Sequence, residues 1–159
     1  MTAFEVALRD LAHQFRQTRG RSASQPILSS ADDSIDRLLA WSVQHQMALD
    51  VRGPEGKDPA FGVTPSNKIA TVWRIYPRQP EGGKVTLLSK AEHLLTSAER
   101  ESVVGVLEAL EPSRTIEPGQ RLEIGLARLG GEQAWARFAS LLPLALRVAQ
   151  RHGDSARSA

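Results

Sequence analysis

The sequence predicts an α+β protein: a mainly antiparallel sheet of about four to five short strands around a central hairpin at residues 68–90, flanked by helices, with an N-terminal helix on a flexible linker. Three observations carry this. In KIATVWRIYPRQPEGGKVTLLSK (68–90), apolar and polar residues alternate on both sides of a Pro- and Gly-containing connection, as strand geometry demands when successive side chains point to opposite faces. Thr96-Ser97-Ala98-Glu99 has the spacing of a capping box ahead of an apolar helical repeat. Phe4, Leu8, Leu11 and Phe15 follow the helical stripe of an amphipathic N-terminal segment.

Taken in order, residues 1–18 form that first helix, with Thr2 as its cap. The small, polar stretch GRSASQPILSS (20–30) reads as a connector, so residues 19–31 are assigned as linker and 32–152 as a single α+β domain. A second helix is expected to begin near Asp32 to Ser34, with Ile35, Leu38, Leu39 and Ser42 facing inward and Trp41 stacked on His45 one turn later. ALDVR (48–52) and Phe61-Gly-Val read as short strands separated by the turn-rich GPEGKDP. Within the hairpin, Ile69, Thr71, Trp73 and Ile75 share the core face, and Lys68, Arg74, Tyr76 and Arg78 lie on the opposite one, joined by Lys84, Thr86 and Lys90 of the returning strand. Pro80-Glu81-Gly82-Gly83 supplies the turn. A helix follows over 97–110 with Val103, Val106 or Leu107, and Leu110 inward. Next comes a half-buried strand at 121–127 on Leu122, Ile124 and Leu126. The last helix, after Gly130-Gly131, has an unusually wide apolar face, and Pro143 is expected to kink or divide it. Residues 153–159 are expected to be disordered.

Composition narrows the function classes. A length of 159 residues suits one domain, and no apolar run approaches a membrane span. Glu5 and Asp10 interrupt the N-terminal apolar residues, so it is not a secretory signal and a cytoplasmic location is expected. The absence of cysteine excludes disulfides, thiolate metal sites and cysteine nucleophiles. Net charge is only +2, but the segment from Arg52 to Lys90 holds seven cations against three anions, and all four lysines fall between Lys57 and Lys90.

No motif specific to one reaction is present. Asp50 with Glu55-Gly-Lys57 has the letters of a metal-dependent nuclease, yet Pro54 and Gly56 put the triplet in a turn, where metal geometry would not be held. The four histidines lack zinc-ligand spacing, no serine stands in a nucleophile elbow, and Gly83-Lys84 lacks the rest of a phosphate loop. FGVTPSNK (61–68) offers Thr64, Ser66 and Asn67 as donors, which turn chemistry also explains, and Glu92-His93 is a dipeptide without specificity.

What remains is the polar hairpin face. Lys68, Arg74, Tyr76, Arg78, Lys84 and Lys90 combine cations for phosphates with one ring for stacking, so the expected function is a non-enzymatic module docking nucleic acid or another polyanion, without a cofactor. The alternatives are a homo-oligomeric assembly domain, with Phe4, Leu8, Leu11 and Phe15 as a homodimer contact or another protein as partner, and a nuclease or other hydrolase.

Overall fold

The computed structural model describes residues 1–18, 24–52, 60–65, 70–77, 82–89 and 91–158. Its elements are α1 (Ala3–Thr18), α2 (Gln25–Gln44), β1 (Ala48–Arg52), β2 (Ala60–Thr64), β3 (Trp73–Tyr76), β4 (Lys84–Leu87), α3 (Ser97–Leu110), β5 (Glu123–Gly125), α4 (Glu132–Ala139) and α5 (Leu142–Ser158). Short 3₁₀ turns at Glu92–Leu94 and Leu126–Leu129 complete them. The strands form one antiparallel sheet in the order β1-β2-β3-β4-β5, each paired with its sequence neighbour. This is the α+β class that the alternation implied.

The ladder register sets which side chains share a face. Val63 pairs with Trp73 and Trp73 with Leu87, while Phe61 pairs with Ile75, Ile75 with Val85 and Val85 with Ile124. All of these are buried. Two helices seal this face through specific contacts. Phe15 of α1 meets Phe61 edge-on at 6.3 Å, Phe61 meets Trp73 at 6.0 Å, and the Trp73 indole N–H donates to Ser42 Oγ of α2 at 3.0 Å. The polar handle of a buried indole is thereby satisfied. Gly83 makes the arrangement possible: its φ is +117°, and a Cβ there would stand 2.6 Å from the Phe15 ring and 2.9 Å from Leu126.

The N-terminal stripe is therefore used within its own chain. Leu8 and Phe15 are fully buried, Phe4 and Leu11 pack partly buried against the same core, and Thr2 Oγ1 caps the helix by accepting from Glu5 N–H. Of the four residues expected at a dimer contact, Leu8 and Phe15 are thus spent in the chain's own core, and Phe4 and Leu11 stay partly exposed beside it. Burying each large apolar side chain against the sheet stabilises it by roughly 1.5–3 kcal/mol, which removes the demand for a second copy.

The second helix starts at Gln25, well ahead of Asp32, so most of the stretch read as linker is helical. Pro26 sits in the first turn, where its missing N–H costs nothing, and two serines, one from the connector stretch and one from the expected helix start, bond out of the helix. Ser30 Oγ and Ser34 Oγ each donate at 2.7 Å to a backbone carbonyl of the second 3₁₀ turn, Ala127 and Leu126. At the other end α5 runs on to Ser158, into the stretch expected to be disordered, and extending an existing helix adds a hydrogen bond for each residue ordered.

The remaining helices follow the local signals. The capping box at Thr96 is complete: Glu99 N–H donates to Thr96 Oγ1 at 3.1 Å and Thr96 N–H to Glu99 Oε1 at 3.0 Å. Arg151 of α5 bonds both oxygens of the same Glu99, at 2.8 and 3.0 Å, and holds its carboxyl down at about 2. Pro143 falls in the first turn of α5, and the expected division of the last helix lies just before it. Phe138, Leu142, Ala145, Val148 and Ala149 are buried, so the wide apolar face belongs to the common core.

Candidate anion-binding site

The second face of the sheet carries one polar row across all five strands. Asp50 pairs with Gly62, Gly62 with Arg74, Arg74 with Thr86, and Thr86 with Glu123. Two strand spacings, about 10 Å, separate Asp50 from Arg74, and a side chain on the intervening strand would block the path between them. Gly62 opens it. A Cβ there would overlap the Trp73 carbonyl oxygen and lie 2.9 Å from Arg74 Cα. Arg74 accordingly reaches over Gly62 and pairs with the Asp50 carboxylate through Nη2. The guanidinium is only 4% exposed, and among the described residues its Nε–H has no acceptor. A buried donor left without a partner costs about 1–3 kcal/mol, so the site holds an unsatisfied demand for an acceptor.

Lys84 stands differently. Its Nζ lies 2.8 Å from Glu123 Oε2 and 5.9 Å from the centre of the Tyr76 ring. Glu123 also receives the Thr86 hydroxyl at 3.5 Å, and its backbone carbonyl accepts from Arg114 at 2.7 Å. Of the residues read from the sequence as a nucleic-acid face, the structure thus brings together Arg74, Tyr76 and Lys84. It gives each of the two cations a carboxylate partner. Lys68, Arg78 and Lys90 lie outside the described residues, as do Glu55 and Lys57 of the nuclease triplet. Asp50, the remaining member of that triplet, is engaged by Arg74, and among the described residues no group of three His, Asp or Glu side chains is placed to hold a metal ion.

Two members of the row, Arg74 and Thr86, line a concavity of about 850 Å³. Arg74 and Thr86 are its buried members, and the lining also holds Tyr76, Glu92, His93, Leu95, Arg100 of α3 and Arg121 of the loop before β5. The size falls within the range of ligand pockets. Arg100 is held by neutral acceptors, donating to the Gln120 carbonyl at 3.0 Å and the Glu117 carbonyl at 3.4 Å. Among the described residues Arg121 makes no hydrogen bond or ion pair. The positive charge of the concavity is therefore carried by Arg100 and Arg121, two residues that the sequence reading missed. Neither belongs to the hairpin, and no local pattern ties an α3 arginine to a residue ahead of β5.

Among the described residues Glu92 is the one acid in the lining. Desolvation raises its carboxyl pKa above the ordinary value, against the opposing pull of a hydrogen bond from Leu122 N–H at 3.2 Å and of the nearby Arg100 and Arg121 charges. Read as part of an uninformative dipeptide, it becomes a perturbed acid in a cleft, the kind of group that concentrates at functional sites. Chemically, three guanidinium groups, hydroxyls and one reluctant carboxylate around a recess suit an anion.

Comparison with protein-family models, with curated proteins and with solved structures returns no match to this chain. Geometry alone carries the functional reading.

Proposed function

We propose that the protein is a non-enzymatic binding module that takes nucleic acid or another polyanion at the polar face of the sheet. One observation carries the reading: Arg100 and Arg121, neither in an ion pair among the described residues and with only Glu92 as an acid beside them, line the same concavity as buried Arg74. A guanidinium without a carboxylate partner is free to neutralise phosphate, and it releases counterions when it does so. Tyr76 at the rim adds a stacking surface. The docking surface is thus recessed, and it includes α3 and the loop before β5 as well as the hairpin.

Binding of a fluorescent single-stranded oligonucleotide, titrated with salt, tests it. Affinity is expected to fall steadily as salt rises, and Arg100→Glu with Arg121→Glu to weaken binding at least tenfold at low salt. Absence of binding at about 50 mM salt, or indifference to the double charge reversal, refutes the module.

A hydrolase is the second reading, favoured by the raised pKa of Glu92 beside His93 in the same recess. Mg²⁺ or Mn²⁺ added to the same assay separates the two, since only the hydrolase shortens the oligonucleotide. The assembly domain loses its N-terminal motive, because Leu8 and Phe15 are buried in their own chain.

A further inference from the structure

We infer that the concavity selects a terminal phosphomonoester, the phosphate that ends a nucleic-acid strand or belongs to a free nucleotide, over the internal phosphodiesters of a chain. The inference rests on the polyanion reading above and names the group that the recess takes.

Depth is the first argument. Arg74 lines the recess yet its side chain is only 4% exposed, so a ligand reaches its guanidinium only at depth. An acceptor meets a donor at the bottom of a recess only if it projects from its own molecule. The oxygens of an internal phosphodiester are flanked by a sugar on each side, whereas a terminal phosphate carries a single substituent and enters end-on.

Valence is the second. Guanidinium groups approach from three separate elements: Arg74 from β3, Arg100 from α3 and Arg121 from the loop before β5. A phosphomonoester presents three terminal oxygens with a charge of about −1.5 to −2 at pH 7, against two oxygens and a single charge for a diester. Each oxygen of the monoester can meet its own guanidinium, while the diester leaves one unmatched. Asp50 offsets the charge of Arg74 through Nη2, so Arg74 contributes donors and the net positive charge comes from Arg100 and Arg121.

Polarity along the recess is the third. The charged floor and sides place the phosphate inward, and Tyr76 leaves a ring for the attached base. Ser89 supplies a further hydroxyl to the lining.

The experiment compares one single-stranded oligonucleotide in three forms, with a 5′-phosphate, with a 3′-phosphate and with hydroxyls at both ends, by fluorescence anisotropy on the full chain. A nucleoside monophosphate serves as unlabelled competitor. The phosphate-ended strands are expected to bind at least tenfold tighter than the hydroxyl-ended strand. Arg74→Gln is expected to bring that ratio towards one, and so is Arg121→Gln, a change that removes no bond among the described residues and leaves folding intact should Arg74→Gln impair it. Competition by the monophosphate at concentrations near the strand's own dissociation constant assigns the site to free nucleotides, and its failure with the ratio preserved assigns it to strand ends. Equal affinity for all three strands overturns the inference while the polyanion module stands. No binding by any strand or by the monophosphate overturns both.

Discussion

The two faces of the sheet are covered to different degrees and by opposite means. On one, Phe61, Val63, Trp73, Ile75, Val85, Leu87 and Ile124 disappear beneath helices by close packing, with one indole hydrogen bond as the polar contact. On the other, Asp50, Arg74, Thr86 and Glu123 are linked by ion pairs and hydroxyls over a glycine, and one guanidinium donor is left unsatisfied. An antiparallel sheet commonly buries one face and leaves the other in water. Here the second face is sunk into a recess, so its charges are compensated, and the charges available to a ligand come from α3 and a loop. A polar stripe in a sequence therefore identifies a face, without identifying which of its cations are free.

If the apolar face is the stabilising one, truncating it should have the largest effect. Phe15→Ala is expected to cost about 3–5 kcal/mol in urea unfolding, since it leaves a cavity against Phe61. An unchanged midpoint would show that α1 belongs elsewhere and would reopen the dimer. Gly62→Ala strikes the boundary between the faces. Its methyl has no room beside the Trp73 carbonyl and Arg74, so a loss of about 1–3 kcal/mol is expected, measured the same way.

The ionic row can be taken apart by a double-mutant cycle. Asp50→Asn should cost about 1–3 kcal/mol by weakening the acceptor of the buried Arg74 guanidinium, and Arg74→Gln a similar amount by removing that guanidinium from the pair. The double variant should lose clearly less than the sum, whereas strict additivity would mean that the pair does not hold this face together. Thr96→Ala tests the wall of the recess. Removing the cap of α3 is expected to cost about 1 kcal/mol and, by loosening the helix that carries Arg100, to weaken oligonucleotide binding, which the anisotropy assay reads.

The smallest effect is a pH slope. Because the Glu92 pKa is raised on folding, the native chain holds this proton to higher pH than the unfolded chain. Its contribution is fully present below the ordinary value of 4.5 and is lost as pH rises through the raised native pKa. Glu92→Gln keeps an oxygen for the Leu122 N–H and has no charge to bury. Relative to the parent it should gain stability towards neutral pH, with a flatter profile above 4.5 and tighter anion binding. A variant less stable at pH 7 than at pH 4, relative to the parent, would contradict the burial of this carboxylate.

What the sequence determined by itself was whatever neighbouring residues decide. Thr96 and Glu99 are three positions apart and closed their box as read; Trp41 and His45 stack with ring centres 4.4 Å apart; the alternation around Trp73 and Ile75 set the core face; and Pro143 lies where the last helix divides. Sterics and short-range hydrogen bonds fix such features before the chain is compact. Only the tertiary structure decided the rest. The second helix began ahead of Asp32, with Ser30 and Ser34 bonded to carbonyls 97 and 92 residues away, and the N-terminal stripe found its slot at Gly83. Arg74 was neutralised by Asp50, and Lys84 by Glu123. Arg100, Arg121 and Glu92 were gathered into one recess. Charge compensation and burial depend on distance in space, and residues separated by a strand or a helix reveal that distance only after the chain has folded.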